Sequence, residues 1–319
     1  MTTAPLRMPA SPRAAPGPAR RELVPRHSAL VRVTHWINVL SLTLLLMSGA
    51  QIFNAYPRLH WGAYGADFDP AVIEIRSLRD AQGWHGLFRI GPLHLDTTGV
   101  LGASREGSAS ALAPRAFPSW LTIPSYQDLA TGRRWHFFWA WVFVTNGLVY
   151  LASGFARRHF ARDLLPARAE VAPRHLWQEI VDHARLRFAQ GQAARHYNVL
   201  QKLTYLVVIF VLLPLMLLTG LSMSPGVDAA LPFLPDLFGG RPSARTLHFV
   251  TASLLVAFVV VHVVMVVVSG LWNNLRSMIT GRYAIETADA PAGVPPGPGH
   301  GPEADTKADA DADVEGAAR

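Results

Sequence analysis

Four runs of about twenty or more mostly apolar residues divide this chain, at residues 31–56, 133–155, 199–223 and 246–271, and none carries an acidic or basic residue other than histidine near its middle. A helix rises about 1.5 Å per residue, so each run is long enough to cross about 30 Å of hydrocarbon. In lipid every backbone N–H and C=O must be satisfied, which leaves helices that pack as a bundle. The sequence therefore predicts an all-α fold, an integral membrane four-helix bundle with a long connection, residues 57–132, between helices 1 and 2. Half of the residues are apolar and the mean hydropathy is positive, and together with the four runs this excludes a soluble globule.

The flanks divide the rest. Residues 1–28 are rich in Pro, Ala and Arg without apolar periodicity and are expected to be a disordered extension. They lack the apolar core of a cleavable signal. Arg20 and Arg21 are followed by Glu22, and the next hydrophobic run carries a histidine, so a permanent span is expected in place of an export signal. Residues 29–284 form the transmembrane domain, and 285–319, mostly Ala, Asp, Gly and Pro, a second disordered tail. The connection after the second run is rich in arginine and that after the third is poor in it, so the positive-inside rule puts both termini in the cytoplasm. The 57–132 connection then faces the periplasm, and its pieces bounded by Gly and Pro, "LHLDTTGVLG" and "AFPSWLTIPSYQDLATG", suggest a folded cap. The net charge of +7 belongs to these flanks and not to basic stripes on a soluble domain, so no nucleic-acid partner is expected.

Imidazole gains nothing from lipid, yet His248 and His262 lie in one of the most apolar runs. Their spacing of fourteen residues corresponds to about 21 Å along a helix and to within about 40° of one face. One helix thus offers a ligand near each membrane surface. His136, at the periplasmic start of the second run, matches the depth of His248, and His35, on the cytoplasmic side of the first, matches His262. With no cysteine, thiolate ligation and covalent haem attachment are excluded. Zinc or copper would want three or four clustered ligands. Two stacked histidine pairs instead suit two non-covalent b-type haems, with His136 and His248 on the periplasmic-side iron and His35 and His262 on the cytoplasmic-side iron.

Arg32, Arg133 and Arg245 each precede one of these histidines by about a helical turn and are suited to haem propionates, or equally to anchoring helix ends at the interface. Gly49 and Gly147 lie toward the depths of the two haems and either make room for a macrocycle or are helix contacts. His27, His60, His85, His94, His159, His175, His183, His196 and His300 fall in loops, flanks or tails and are expected to be solvated, with His85 and His94 in the cap where a partner could dock.

The segments "RVTHWINVLSLTLLLMSG", "RRWHFFWAW" and "YNVLQKLTY", with the histidine pair of the last run, resemble the bacterial cytochrome b-561 group over residues 27–280. That group includes the b-type cytochrome subunits of nickel-iron hydrogenase, thiosulfate reductase and formate dehydrogenase. The resemblance implies axial ligands at His35, His136, His248 and His262, a place in the bacterial inner membrane, and electron transfer between the quinone pool and a partner redox subunit at the periplasmic face. The long first connection resembles the versions that pair with a molybdopterin-containing oxidoreductase. Asn198, Gln201, Lys202 and Tyr205, at the cytoplasmic start of the third run, are candidates to hydrogen-bond a quinone, or to anchor the helix at the interface. Pro214 is expected to kink that helix. Two other functions compete: a self-sufficient quinone-linked oxidoreductase such as a superoxide oxidase, and a non-haem transporter. The transporter should show midplane charges or broken helices in repeated halves, and the sequence has neither.

Overall fold

The computed structural model describes residues 20–107, 111–167, 170–185 and 198–287. The extension expected over residues 1–28 is thus described only from Arg20 on, and most of the 285–319 tail, with His196, His300 and the side chain of His183, lies outside the described residues.

Strand β1 (Arg20–Pro25) precedes the first span, α1 (Ala29–Ala55), whose N-cap Ser28 accepts a hydrogen bond from the Val31 amide. The 57–132 connection carries β2 (Arg58–Leu59), β3 (Ile73–Asp80), β4 (Gly83–Ile90), β5 (Leu93–Asp96), β6 (Gly102–Arg105) and β7 (Leu112–Arg115). The second span, α2 (Leu129–Ala156), starts at the Asp128 N-cap, and an amphipathic helix, α3 (Pro173–Ala184), follows. The third span comprises α4 (Val199–Val207), a π-helical turn (Val208–Leu212) and α5 (Leu213–Ser222). Short helices α6 (Pro225–Ala230) and α7 (Phe233–Leu237) lead to the fourth, α8 (Arg241–Val268), and then come α9 (Leu271–Thr280) and β8 (Arg282–Thr287), which pairs with β1.

The four spans are long and apolar enough to cross a membrane. Their burial is reversed relative to a soluble protein. Thr34, Ser41, Ser48 and Gln51 of α1, Asn146 of α2, Thr219 and Ser222 of α5 and Thr251 of α8 are buried, while Leu40, Leu148, Val211, Val260 and Val261 are exposed. Small and polar residues let backbones approach and satisfy one another, and the apolar surface is left for lipid. α1 packs along α2, and α5 along α8. Between α1 and α2 the Asn146 amide donates to the Thr34 carbonyl (2.9 Å) and to Asn38 Oδ1 (2.7 Å).

The all-α expectation needs correcting outside the spans. The connection folds as a four-stranded antiparallel sheet, β2-β3-β4-β5, and a β6-β7 hairpin. Residues alternate between two faces along β3 and β4, a period of two that suits a half-buried sheet. The joining loops are two residues long: Asp80 is paired with Gly83, and Ile90 with Leu93 across a turn opened by Gly91 at φ +52°. The cap is seated on the bundle by shared core. Phe53 of α1 packs with Leu59, Ile75 and Ala116, and stacks on Phe249 of α8 at 4.9 Å. Polar groups complete the joint: buried Arg115 donates to Gln51 Oε1 (2.9 Å) and Thr122 Oγ1 (2.7 Å), and Asn54 exchanges two hydrogen bonds with the Phe117 backbone. Buried Glu74 pairs with Arg89 (2.8 Å) and Arg58 (3.2 Å).

Pro214 has no N–H to return to the preceding turn. The chain meets this with the π-helical turn just upstream, and the helix resumes through Pro214 at its first turn. α8 starts before the apolar run, with Pro242 in its first turn, and ends at Ser269, where Gly270 at φ +112° turns the chain into α9.

Candidate functional site

The two histidines of each expected pair stand together. His136 of α2 and His248 of α8 have ring centroids 6.3 Å apart at the end of the bundle nearest the cap, with planes at 63°. His35 of α1 and His262 of α8 have centroids 6.3 Å apart at the opposite end, with planes at 59°. A metal–imidazole bond is about 2 Å and a ring nitrogen lies about 1.1 Å from its centroid, so imidazoles on opposite sides of one metal ion have centroids about 6.2 Å apart. Both pairs have that spacing. Among the described residues no group of three or more His, Cys, Asp or Glu could hold a metal ion. A haem iron, which takes its equatorial ligands from the macrocycle and needs only two from protein, fits what the chain offers.

The cap-side imidazoles are held by a device that occurs twice. Ser48 Oγ of α1 lies 3.0 Å from His136 Nδ1, and Thr219 Oγ1 of α5 lies 3.1 Å from His248 Nδ1. Each hydroxyl donates its own proton to a carbonyl one turn back, Ser48 to Leu44 (2.6 Å) and Thr219 to Leu215 (2.7 Å). With that proton engaged, each oxygen is an acceptor for the ring, an arrangement that favours the imidazole proton on Nδ1 and leaves the Nε2 lone pair for a metal. The next residue is glycine in both helices, and a Cβ there would lie 3.4 Å from His136 Cε1 at Gly49 and 3.2 Å from His248 Cε1 at Gly220. At the far end, His35 meets Trp36 edge-on at 5.5 Å and His262 stacks on Phe258 at 5.9 Å; neither ring makes a hydrogen bond among the described residues.

The remaining candidates are placed as follows. Arg245 donates to the Tyr56 carbonyl and lies over the Tyr56 ring. Arg32 donates to the Ile279 carbonyl and Trp36 to that of Met278, so both satisfy the C-terminal turn of α9. Arg133 is exposed and lies 5.8 Å from the Phe137 centroid. A Cβ at Gly147 would meet no protein atom within 4 Å. Asn198 caps α4 by accepting from the Gln201 amide (2.9 Å), and Lys202 Nζ pairs with Glu170 (2.9 Å). Gln201 and Tyr205 follow on the same helix.

His60 is corrected from solvated to buried: it is 4% exposed and stacks on Tyr56 at 6.0 Å, because the loop after β2 folds over the start of α8, where Thr246 Oγ1 donates to the His60 carbonyl (2.6 Å). His27 is half-buried, and burial together with Arg26, His35 and Arg32 pushes its pKa down to about 4. His85 lies 2.8 Å from Asp80 Oδ2, and His94 is exposed on β5.

A model of the prokaryotic cytochrome b561 family matches residues 26–281, most of the chain. The chain belongs to the prokaryotic cytochrome b561 family. This cytochrome b561 chain is therefore an integral membrane b-type cytochrome of electron transfer, from a family that binds haem. It is also 27% identical over 261 residues to the "Putative protein-methionine-sulfoxide reductase subunit YedZ1" of Azospira oryzae, an alignment covering 82% of this chain and 98% of that protein. No solved structure matches it. Sequence reasoning missed Ser48, Thr219 and Gly220 in this cytochrome b561; the repeated hydroxyl–glycine dipeptides, Ser48–Gly49 and Thr219–Gly220, were the available signal.

Proposed function

We propose that the protein is a di-haem cytochrome b that carries electrons between the quinone pool and a redox partner docked on the cap. The observation that carries this reading is the pair of imidazole pairs, each at 6.3 Å, at opposite ends of one four-helix bundle. His136 and His248 would hold one b haem and His35 and His262 the other, each supplying one-electron Fe(III)/Fe(II) chemistry. The chain's own part is to present Nε2 lone pairs and exclude water with its apolar spans. Arg133, Arg245 and Arg32, about one turn from the ligands, are the cations suited to propionates. Asn198, Gln201, Lys202 and Tyr205 would offer hydrogen bonds to a quinone near the His35–His262 end, Asn198 also capping the helix start and Lys202 also pairing with Glu170.

The arginine-rich connection between the second and third spans supports an orientation with that end in the cytoplasm and the cap in the periplasm of an inner membrane. The relative's name as a reductase subunit supports a subunit role, with the cap receiving the partner. The resemblance of the long connection supports a molybdopterin-containing oxidoreductase as that partner.

The test is the dithionite-reduced minus oxidised visible spectrum of the purified chain, with pyridine haemochrome quantification. Two b haems per polypeptide are expected, falling to one in His35→Ala and in His136→Ala. One haem or none in the unaltered chain would overturn the reading.

A further inference from the structure

The two imidazole pairs match in spacing and differ in what surrounds the rings. On the cap side both rings are hydrogen-bonded at Nδ1, to Ser48 Oγ and Thr219 Oγ1. At the far end neither His35 nor His262 makes a hydrogen bond among the described residues, and their neighbours are the rings of Trp36 and Phe258. The cap-side contacts are also directional. Because each hydroxyl proton is engaged with Leu44 or Leu215, the oxygen stands as an acceptor for the ring, beside the backbone carbonyls of Leu45 and Met216, which also bond to His136 and His248. Both hydroxyls are fully buried, so water does not compete for the Nδ1 proton.

An imidazole that donates from Nδ1 gains basicity at Nε2. A more basic axial ligand favours the ferric over the ferrous ion, and hydrogen bonding around the ligands is one of the means by which a protein sets a haem potential. Resting on the two-haem reading above, we infer that Ser48 and Thr219 are positioning residues that fix the orientation and Nδ1–H tautomer of His136 and His248 and lower the reduction potential of the iron these histidines share. The far-side iron lacks this effect. The repeat of the device on two helices, α1 acting on a ligand of α2 and α5 on a ligand of α8, makes the two contributions separable and of the same sign.

The test is a potentiometric titration of the visible haem bands in the detergent-purified full chain, with haem counted in each sample. Ser48→Ala and Thr219→Val should each raise one of two midpoint potentials, the same one in both, and leave the other in place. The double variant should shift it further, and one of two low-spin ferric EPR signals should move with it. Ser48→Thr and Thr219→Ser keep the hydroxyl and should keep the original midpoints. Ser48→Cys retains a side chain of similar size with a poorer acceptor and should give an upward shift even where the alanine variant loses haem. Midpoints unmoved in haem-loaded Ser48→Ala, Thr219→Val and Ser48→Cys would overturn the inference and leave the two-haem reading intact, as would hydroxyl-retaining variants that shift as far as the others. Absence of two haems from the unaltered chain would remove the two-haem reading itself.

Discussion

At the residue scale, three glycines and one glutamate bear most directly on the site and its support. A Cβ at Gly220 would stand 3.2 Å from His248 Cε1, closer than carbon atoms normally approach, and the ring cannot retreat without stretching its bond to Thr219. Gly220→Ala is therefore expected to lower the haem content per chain by pyridine haemochrome, with Gly49→Ala, at 3.4 Å, milder. Gly147→Ala meets no protein atom within 4 Å, so any haem that it displaces reports the macrocycle and not the polypeptide. In the cap, burial alone would raise the pKa of Glu74, but the Arg89 hydrogen bond and the charges of Arg89, Arg76 and Arg58 outweigh it and hold the carboxyl below its usual range. A depressed carboxylate contributes stability above its unfolded pKa and loses it as pH falls through the folded value. The protection of amides in cap peptides, measured as exchange relative to the intrinsic rate at each pH, is thus expected to fall on acidification below about pH 4. Removing one partner of a buried ion pair costs about 3–5 kcal/mol, so Glu74→Gln should loosen the same peptides already at neutral pH.

At the element scale the helices and the cap were legible to different degrees. Length and hydropathy alone define four spans, because lipid allows a long apolar segment little other than a helix. The sheet carries a weaker signal: apolar alternation is confined to Ile73 and Ile75 in β3 and is not sustained along β4, and its turns are two residues each. Its register depends on a close approach that no local pattern announces. A Cβ at Gly86 would overlap the Leu101 carbonyl oxygen where β4 crosses the start of β6. Gly86→Ala should therefore disorder the cap, seen as rapid proteolysis within residues 57–132, while the far-side haem band persists. The π-helical turn before Pro214 belongs to the same scale: proline predicts a disturbed helix, and only the surrounding packing decides whether it kinks or widens a turn.

At the scale of the whole molecule, the absence of cysteine makes orientation directly measurable. Gln82→Cys in the cap and Arg157→Cys at the opposite end of α2 both place a thiol at an exposed position. An impermeant maleimide is expected to label the first but not the second in intact spheroplasts, and both after lysis; the reverse pattern would put the cap in the cytoplasm. Four membrane spans, and the grouping of His35, His136, His248 and His262 toward two depths, follow from the order of residues alone, because hydropathy and helical rise are local properties that add along one segment. That order does not determine which group stands behind each ring. Ser48 is 88 residues from His136 and Thr219 is 29 from His248, and only the packing of α1 on α2 and of α5 on α8 brings each hydroxyl to its imidazole. Likewise Phe53 and Phe249, from different spans, form one core with the cap only once the bundle is assembled. Contacts between distant segments depend on how faces are paired, and a one-dimensional pattern does not contain that pairing.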